Sequence, residues 1–277
     1  MNKRLVIAVS GGVDSVVLLH MLSKQYEDLV VAHFDHGIRD DSAMDAAFVQ
    51  GLARHYGAVF ETVREELGKQ ASEELARDRR YAFLREVAHR HNAPIATAHH
   101  ADDSIETIAI NVTRGTGWRG LAVLDSDIVR PLLDMSKDEI IAYANEHGLE
   151  WREDSTNMSD AYLRNRIRVK AQPMQDDTKR QLLALRAQQV ATKQHIDQEV
   201  RALVGDGPDY GRYFFTHAEP AAAMECLRFI TAARLTRPQL GRTLMAIKTA
   251  KPGSVYQPGS AVTLSFTSRN FKVELIK

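Results

Sequence analysis

The sequence of 277 residues contains one cysteine, Cys226. A single cysteine excludes a disulfide framework and any Cys-x-x-Cys metal or redox pair. Cys226 lies on an apolar helical stripe in AMECLRFI, which predicts a small core residue. No run of about 18 apolar residues occurs, and the sequence starts in a strand pattern without signal-peptide features. We therefore expect a cytoplasmic protein with no membrane partner.

An excess of one charge is also missing, because 36 Lys and Arg residues balance 36 Asp and Glu residues. The charges are nevertheless unevenly distributed. Residues 161–277 carry 19 basic and 9 acidic side chains, which leaves 17 and 27 in residues 1–160, so the two parts are near +10 and −10. A basic part beside an acidic one favours a polyanionic partner such as RNA. Ordinary scatter of surface charge is an equal alternative.

Hydrophobic strands and amphipathic helices alternate through residues 1–175. Apolar runs with β-branched residues occur in LVIAV, DLVVAHF, AVFETV, APIATA and DIVRPLL, and helical patterns separate them. This alternation predicts an α/β domain whose five-stranded parallel sheet has helices on both faces. Residues 176–277 predict a long helix, two shorter helices and a β-meander, which form a smaller helical or α+β domain.

The most informative segment is SGGVDS, which connects the first strand to the first helix. Its residues are Ser10, Gly11, Gly12, Val13, Asp14 and Ser15. The two glycines let the backbone approach a ligand, the hydroxyls add donors, and free N–H groups at a helix N-terminus favour a phosphate. A Walker A lysine and a G-x-G-x-x-G fingerprint are both absent. The loop resembles the PP-loop of the N-type ATP pyrophosphatases, which implies cleavage of ATP to AMP and pyrophosphate. The alternative is a glycine-rich turn capped by a serine.

Acidic side chains follow two of the predicted strands. Asp35, at the end of strand two, suits a Mg²⁺ ion or a ribose hydroxyl, or it caps a turn. Asp103 and Glu106 stand three residues apart on one helix face, with His99 in the preceding turn. Two carboxylates on one helix face are well placed to bind a cation, and the cation is either a metal ion or an amine. The alternative is that these acids only complement the helix dipole.

Arginines occur at three further places. Arg80 follows Arg77 at helical spacing, and Arg164 precedes Arg168 by one turn. Arg114 and Gly115 open a basic glycine loop, which is either a helix C-cap or a clamp on pyrophosphate. Solvated arginine faces are the common explanation of such spacing, and contacts with ATP or RNA phosphates are the more specific one.

The motifs SGGVDS, FDHGIR, ELARDRRYAFL, ATAHHADDSIET, RGTG and EDSTNMSDAYLRNRIR occur in the order typical of tRNA(Ile)-lysidine synthetases. The sequence resembles that family over nearly its whole length. GSVYQPGSAVTLS resembles the end of the family's first C-terminal domain, so we expect a short form without a second one. The resemblance implies adenylation by ATP of the C2 oxygen of the wobble cytidine in tRNA(Ile) with a CAU anticodon. The side-chain amine of L-lysine then attacks C2, and AMP leaves.

The resemblance also implies roles for individual residues. The residues expected to bind ATP are Ser10 to Ser15, Arg114 and Gly115. Lysine is expected at Asp103 and Glu106, tRNA at Arg164, Asn165 and Arg168, and Mg²⁺ at Asp14 and Asp35. The catalytic set is Asp14, Asp35, Arg80, His99, Asp103 and Glu106. The sequence does not decide the oligomeric state, and a homodimer is one alternative.

Three other function classes compete with this interpretation. Thiolation of tRNA by a PP-loop protein normally needs cysteines or an iron–sulfur cluster, and the chain has only Cys226. Small-molecule amidating synthetases share the loop but leave the Arg/Asn-rich helix and the basic C-terminal part unexplained. A nucleotide-binding module without catalysis is the third alternative, and the presence of Asp14 and Asp103 argues against it.

Overall fold

Four parallel strands form the sheet of the N-terminal unit, in the order β3–β2–β1–β4. Their bounds are β1 Leu5–Ala8, β2 Leu29–Asp35, β3 Val59–Arg64 and β4 Ile95–Ala96. Leu5 pairs with Leu29, and Val30 pairs with Val59. All seven residues of β2 are buried, as expected of a parallel strand that is covered on both faces.

Helices cover both faces of this sheet. The helices described between residues 4 and 205 are α1 Val13–Ser23, α2 Ser42–His55, α3 Glu73–His91, α4 Ala101–Thr113, α5 Lys137–Glu146 and α6 Asp176–Val204, with a 3₁₀ turn at Trp118–Leu121. The last of them, α6, continues past Val190, where this unit ends. Leu5 and Ile7 belong to a core that also contains residues of α1, α2 and α5. Val6 points to the opposite face and packs in a second core with residues of α3. The predicted parallel α/β fold with helices on both faces is therefore confirmed.

The predicted fifth strand, in DIVRPLL, is wrong, and the sheet has four strands. Val129 forms only an isolated parallel bridge with Ala96, in which Val129 N–H donates to the carbonyl of Ile95 at 2.8 Å. Pro131 cannot donate to a ladder, and so it ends pairing two residues later. The Arg130 guanidinium donates to the carbonyls of Leu124 and Ile128, which holds the segment in a turn.

The C-terminal unit combines an antiparallel sheet with short helices. The strands are β5 Asp209–Gly211, β6 Val255–Gly259, β7 Val262–Phe266 and β8 Asn270–Leu275, in the order β5–β8–β7–β6. The helices are α7 Arg212–His217, α8 Pro220–Ile230 and α9 Arg237–Thr249. The meander was predicted, whereas β5 and α7 were not. Cys226 is buried in the core of this unit, and burial raises the pKa of its thiol.

The computed structural model describes residues 4–37, 42–68, 72–152, 174–205 and 207–276. The chain divides into two compact units, Met1–Val190 and Ala191–Lys277. The domain boundary after residue 175 stays a prediction. Within the described residues, no helix has the length and apolar character needed to cross a membrane.

Candidate active site

The loop between β1 and α1 has the geometry of an anion cradle. Gly11 has φ +97°, a conformation that side chains with a Cβ rarely adopt. Gly12 is the N-cap of α1, and no side chain caps the helix there. The N–H groups of Val13 and Asp14 lie in the first helical turn, where no carbonyl four residues back can accept them. The loop therefore offers backbone donors at the positive end of a helix dipole.

Ser15 holds this loop together from inside. Its hydroxyl donates to the carbonyl of Gly12 at 2.9 Å and accepts from the N–H groups of Ser10 and Gly11, both at 3.2 Å. The Ser10 and Ser15 hydroxyl oxygens lie 3.3 Å apart. Ser15 is buried, whereas Ser10 is exposed. Of the two predicted hydroxyl donors, Ser10 faces solvent and Ser15 shapes the backbone.

Two residues that sequence reasoning missed support the loop from outside. His33 Nδ1 lies 2.8 Å from the carbonyl oxygen of Val9, at the end of β1. Arg152 N–H donates to the carbonyl of Gly11 at 2.9 Å, and its guanidinium pairs with Asp45 at 3.0 Å. His33 begins the His-Phe-Asp-His run at the end of β2, and Arg152 directly precedes the EDSTN motif, but sequence reasoning assigned neither of them a role.

The first turns of α1, α4 and α5 meet beside the loop. Lys137, the first residue of α5, places Nζ 2.5 Å from Asp14 Oδ1 on α1. Its backbone N–H donates to Asp102 Oδ2 on α4 at 2.8 Å. Lys179 Nζ, on α6, lies 3.3 Å from the other Asp102 oxygen. Two lysines thus pair with two carboxylates that lie in the first turns of α1 and α4, where the helix dipoles are positive.

The sequence contains a signal for Lys137 at the start of α5. Ser136 caps α5 and shares a capping box with Glu139, so Lys137 stands at the first helical position. A lysine there is unfavourable for the helix dipole. A residue that destabilises the start of its own helix indicates a compensating contact with another part of the protein. In this structure, that contact is the ion pair with the Asp14 carboxylate.

His100 links the phosphate loop to the acidic face of α4. Its Nε2 lies 4.0 Å from Asp14 Oδ2 and 3.6 Å from Asp103 Oδ2. The ring is buried, and its Nδ1 has no hydrogen-bond partner in the described structure. Asp103 also accepts the backbone N–H of His100 at 3.0 Å. The buried imidazole therefore lies between the Asp14 carboxylate and the Asp103 carboxylate, within ion-pair distance of each and beyond hydrogen-bond distance.

Glu106 and His99 complete this side of the site. Glu106 is only 2% exposed on α4, one turn after Asp103. His99 Nδ1 lies 2.8 Å from the hydroxyl oxygen of Thr97. Burial lowers the pKa of His99 to about 4, although the nearby Asp103 carboxylate acts in the opposite direction. The His99 imidazole is therefore neutral at pH 7.

Asp35 is engaged in its own turn. Its Oδ1 accepts the N–H of Gly37 at 2.8 Å, and its Oδ2 lies 3.4 Å from the Arg64 guanidinium. Gly37 has φ +62°, and a Cβ there would lie 2.9 Å from Glu66 Cγ. These contacts are those of a turn-capping aspartate. Among the described residues, no set of three or more His, Cys, Asp or Glu side chains has the arrangement of a metal site.

The predicted arginines fall in different places. The guanidinium groups of Arg77 and Arg80 lie 5.5 Å and 5.6 Å from the ring centroid of Tyr81, and both charges act on His99. Arg114 is the exposed C-cap of α4, and Gly115 follows with φ +67°. Arg114 and Gly115 therefore form the C-terminal cap of α4. The predicted RNA contacts, Arg164, Asn165 and Arg168, lie outside the described residues.

Residues 1–175 match the family described as the PP-loop domain. The chain therefore belongs to this family, and the SGGVDS segment stands where its name-giving loop is expected. A U34-tRNA thiolase from Methanococcus maripaludis has a similar structure, with a TM-score of 0.55 and 18% identity over 70% of this chain and 72% of that one. This similarity concerns the fold alone.

Among curated proteins, tRNA(Ile)-lysidine synthases are similar to this chain. A protein of Thermus thermophilus is 41% identical over 181 residues, which is 62% of this chain and 36% of that protein. A protein of Bacillus cereus is 39% identical over 187 residues, which is 60% of this chain and 39% of that protein. The chain spans less than half the length of these relatives.

Proposed function

We propose that the protein is a tRNA(Ile)-lysidine synthetase. ATP adenylates the C2 oxygen of the wobble cytidine in a CAU anticodon, and pyrophosphate leaves. The side-chain amine of L-lysine then attacks C2, the bond between C2 and the adenylated oxygen breaks, and AMP departs. The similarity to lysidine synthases through the PP-loop domain supports this reaction.

The phosphate side of the reaction is assigned to the loop and to Lys137. The N–H groups of Val13 and Asp14 bind phosphate oxygens at the N-terminus of α1. The Lys137 ammonium, which pairs with Asp14 at 2.5 Å, lies where it neutralises charge on the leaving pyrophosphate. Donors that are already in place stabilise such charge without reorganisation.

A magnesium ion fits the Asp14 carboxylate better than it fits Asp35. The Asp14 side chain is 31% exposed and already carries a cation on Oδ1, whereas both Asp35 oxygens are engaged by Gly37 and Arg64. Mg²⁺ usually takes one or two carboxylates together with substrate phosphates. When bound, it would neutralise charge on the β and γ phosphates. We therefore assign Asp14 to the metal and Asp35 to the turn that follows β2.

This assignment requires Lys137 to change partner. With a magnesium ion held by Asp14, the Lys137 ammonium would be available to pair with a phosphate. The Asp14 carboxylate would then have a cationic partner with and without ATP.

The amine side is assigned to Asp103 and Glu106. Both carboxylates lie on α4, and the pair suits a lysine ammonium group. Glu106 is the carboxylate of the pair that is shielded from water, at 2% exposure. The ammonium must lose a proton before its nitrogen attacks C2.

One observation carries the proposal: His100 Nε2 lies 4.0 Å from an Asp14 carboxylate oxygen at the phosphate loop and 3.6 Å from an Asp103 carboxylate oxygen. The residues assigned to the ATP phosphates and those assigned to the amine therefore lie on two sides of one buried ring. The thiolation alternative lacks a thiol here, because Cys226 lies in the core of the other unit. The basic residues after position 160 supply the charge for a tRNA partner.

The test uses tRNA(Ile) with a CAU anticodon, ATP and isotopically labelled lysine. We expect label on the wobble cytidine, with one AMP and one pyrophosphate formed for each lysine joined. Stoichiometric ADP and orthophosphate would contradict the proposal, because they indicate attack at the γ phosphate. A tRNA with a CAU anticodon that reads methionine serves as the control for RNA choice.

A further inference from the structure

Thr97 and His99 form a hydrogen-bonded pair at the carboxyl end of β4. The Thr97 hydroxyl oxygen lies 2.8 Å from His99 Nδ1, and Thr97 is 5% exposed. The Thr97 backbone is fixed as well, because its N–H donates to the carbonyl of Val129 at 3.0 Å. The hydroxyl is therefore held at one position relative to the imidazole.

The surroundings of Thr97 determine which group donates. In the described part of the chain, His99 Nδ1 is the one hydrogen-bond partner of the Thr97 hydroxyl. A buried hydroxyl proton without an acceptor costs about 1–3 kcal/mol. The hydroxyl consequently donates and Nδ1 accepts. A neutral imidazole that accepts at Nδ1 carries its proton on Nε2.

The charge state of His99 agrees with this assignment. Burial lowers the pKa of His99 to about 4, with the Asp103 carboxylate opposing it. Three guanidinium groups lower the pKa further, those of Arg130, Arg80 and Arg77. So weak a base removes a proton from an ammonium group poorly. A neutral N–H beside these residues is suited to donating a hydrogen bond.

We propose that Thr97 is a positioning residue that fixes His99 as a neutral Nε2–H donor to a substrate oxygen. The inference rests on the proposed lysidine reaction and assigns His99 a donor role instead of participation in proton removal. The acceptor is an oxygen whose negative charge increases during the reaction. It belongs either to the leaving pyrophosphate in the first step or to the leaving AMP in the second.

The tautomer is tested directly by nitrogen-15 NMR of the full chain labelled at histidine. A His99→Gln variant identifies the signals of His99. In the wild type we expect an unprotonated Nδ1 and a protonated Nε2. In Thr97→Val, which keeps the shape of the side chain but removes the hydroxyl, we expect the two tautomers to mix, and Thr97→Ser should restore the wild-type pattern. A protonated Nδ1 in the wild type would overturn the proposal.

The donor role is tested by the two half-reactions, measured as pyrophosphate release without lysine and AMP release after lysine is added. Thr97→Val should slow one of them about tenfold, which corresponds to one hydrogen bond, and Thr97→Ser should recover it. The affected step identifies the oxygen. His99→Gln, which retains an N–H donor, should be at least about tenfold faster than His99→Leu. Equal rates for Gln and Leu would refute the donor.

Failure of the proposed function gives a different result. If the wild type joins no lysine to RNA, the lysidine assignment fails, while the NMR spectrum still decides whether Thr97 fixes the tautomer. If Thr97→Val slows both half-reactions equally and lowers the unfolding temperature, and Thr97→Ser does not restore them, Thr97 is structural and the proposal is wrong.

Discussion

Lys137 Nζ lies 2.5 Å from Asp14 Oδ1, and the same residue donates its backbone N–H to Asp102. One residue thus connects the first turns of α1, α4 and α5. The Lys137 ammonium neutralises the Asp14 carboxylate of the PP-loop. The hydrogen bond from the Lys137 backbone to Asp102 fixes the position of the residue.

Lys137→Met should slow adenylation about a hundredfold, because the leaving pyrophosphate loses a charge-assisted partner. The same variant should reach half-maximal activity at a lower Mg²⁺ concentration, because the ammonium no longer competes for Asp14. Pyrophosphate release at varied Mg²⁺ measures both effects. Lys24→Met is the matched control, since Lys24 is the exposed C-cap at the other end of α1. A raised Mg²⁺ requirement in Lys137→Met would contradict the exchange of partners at Asp14.

Asp103→Asn and Glu106→Gln should impair the lysine step more than adenylation. Each removes one of the two charges that hold the ammonium group, so the KM for lysine should rise about tenfold or more. Single-turnover release of pyrophosphate and of AMP separates the steps. Asp138→Asn, at an exposed position on α5, is the control. Loss of ATP binding with an unchanged lysine KM would show that the carboxylates serve the nucleotide.

Stability should fall as the pH falls from about 6.5 to about 4. Burial lowers the pKa of both His99 and His20 below the ordinary 6.5, so the unfolded chain binds more protons than the folded one in this range. The free energy of unfolding therefore rises with pH there. Urea unfolding of His99→Gln should show a smaller dependence on pH, whereas His195→Gln, at an exposed position on α6, should follow the wild type. A wild-type profile that is flat between these pH values would contradict the burial of neutral imidazoles.

RNA binding should depend on salt through the C-terminal unit. Arg237, Arg242 and Lys251 are exposed there, and replacing them with glutamine should flatten the slope of log affinity against log salt by about 0.7–0.9 for each phosphate that is no longer neutralised. Arg212 is unsuitable for this test, because its guanidinium donates to the carbonyls of Ile247, Thr267 and Ala250. If the slope of log affinity against log salt is unchanged in the triple variant, these three basic residues do not contact RNA and are ordinary surface charges.

The parallel sheet and the loop at its edge could be predicted because their signals are local. An apolar strand, two glycines and an amphipathic helix follow one another in the sequence, and each is consistent with the next. The prediction of a fifth strand was wrong for a local reason, because Pro131 stops the ladder just after Val129. Propensity alone does not count the hydrogen bonds that a segment can make.

The contacts that build the site are mostly long-range and could not be predicted. Lys137 meets Asp14 across 123 positions of the chain, and Arg152 meets Asp45 across 107. The hydrophobic periodicity of a sequence does not indicate ion pairs between residues so far apart in the chain. Sequence reasoning placed Asp103, Glu106 and His99 on or next to one helix face. It did not find Thr97 or His100, because a threonine and a second histidine have ordinary structural roles in most proteins.

In the proposed reaction, ATP adenylates the C2 oxygen of cytidine, which lysine then displaces. This reaction is tested most directly with tRNA(Ile) whose wobble cytidine carries heavy oxygen at C2, incubated with protein, ATP and lysine. Mass spectrometry of the AMP should find one heavy oxygen in its phosphate, and the modified nucleoside should have lost it. Heavy oxygen that stays in the RNA, with unlabelled AMP, would contradict the account.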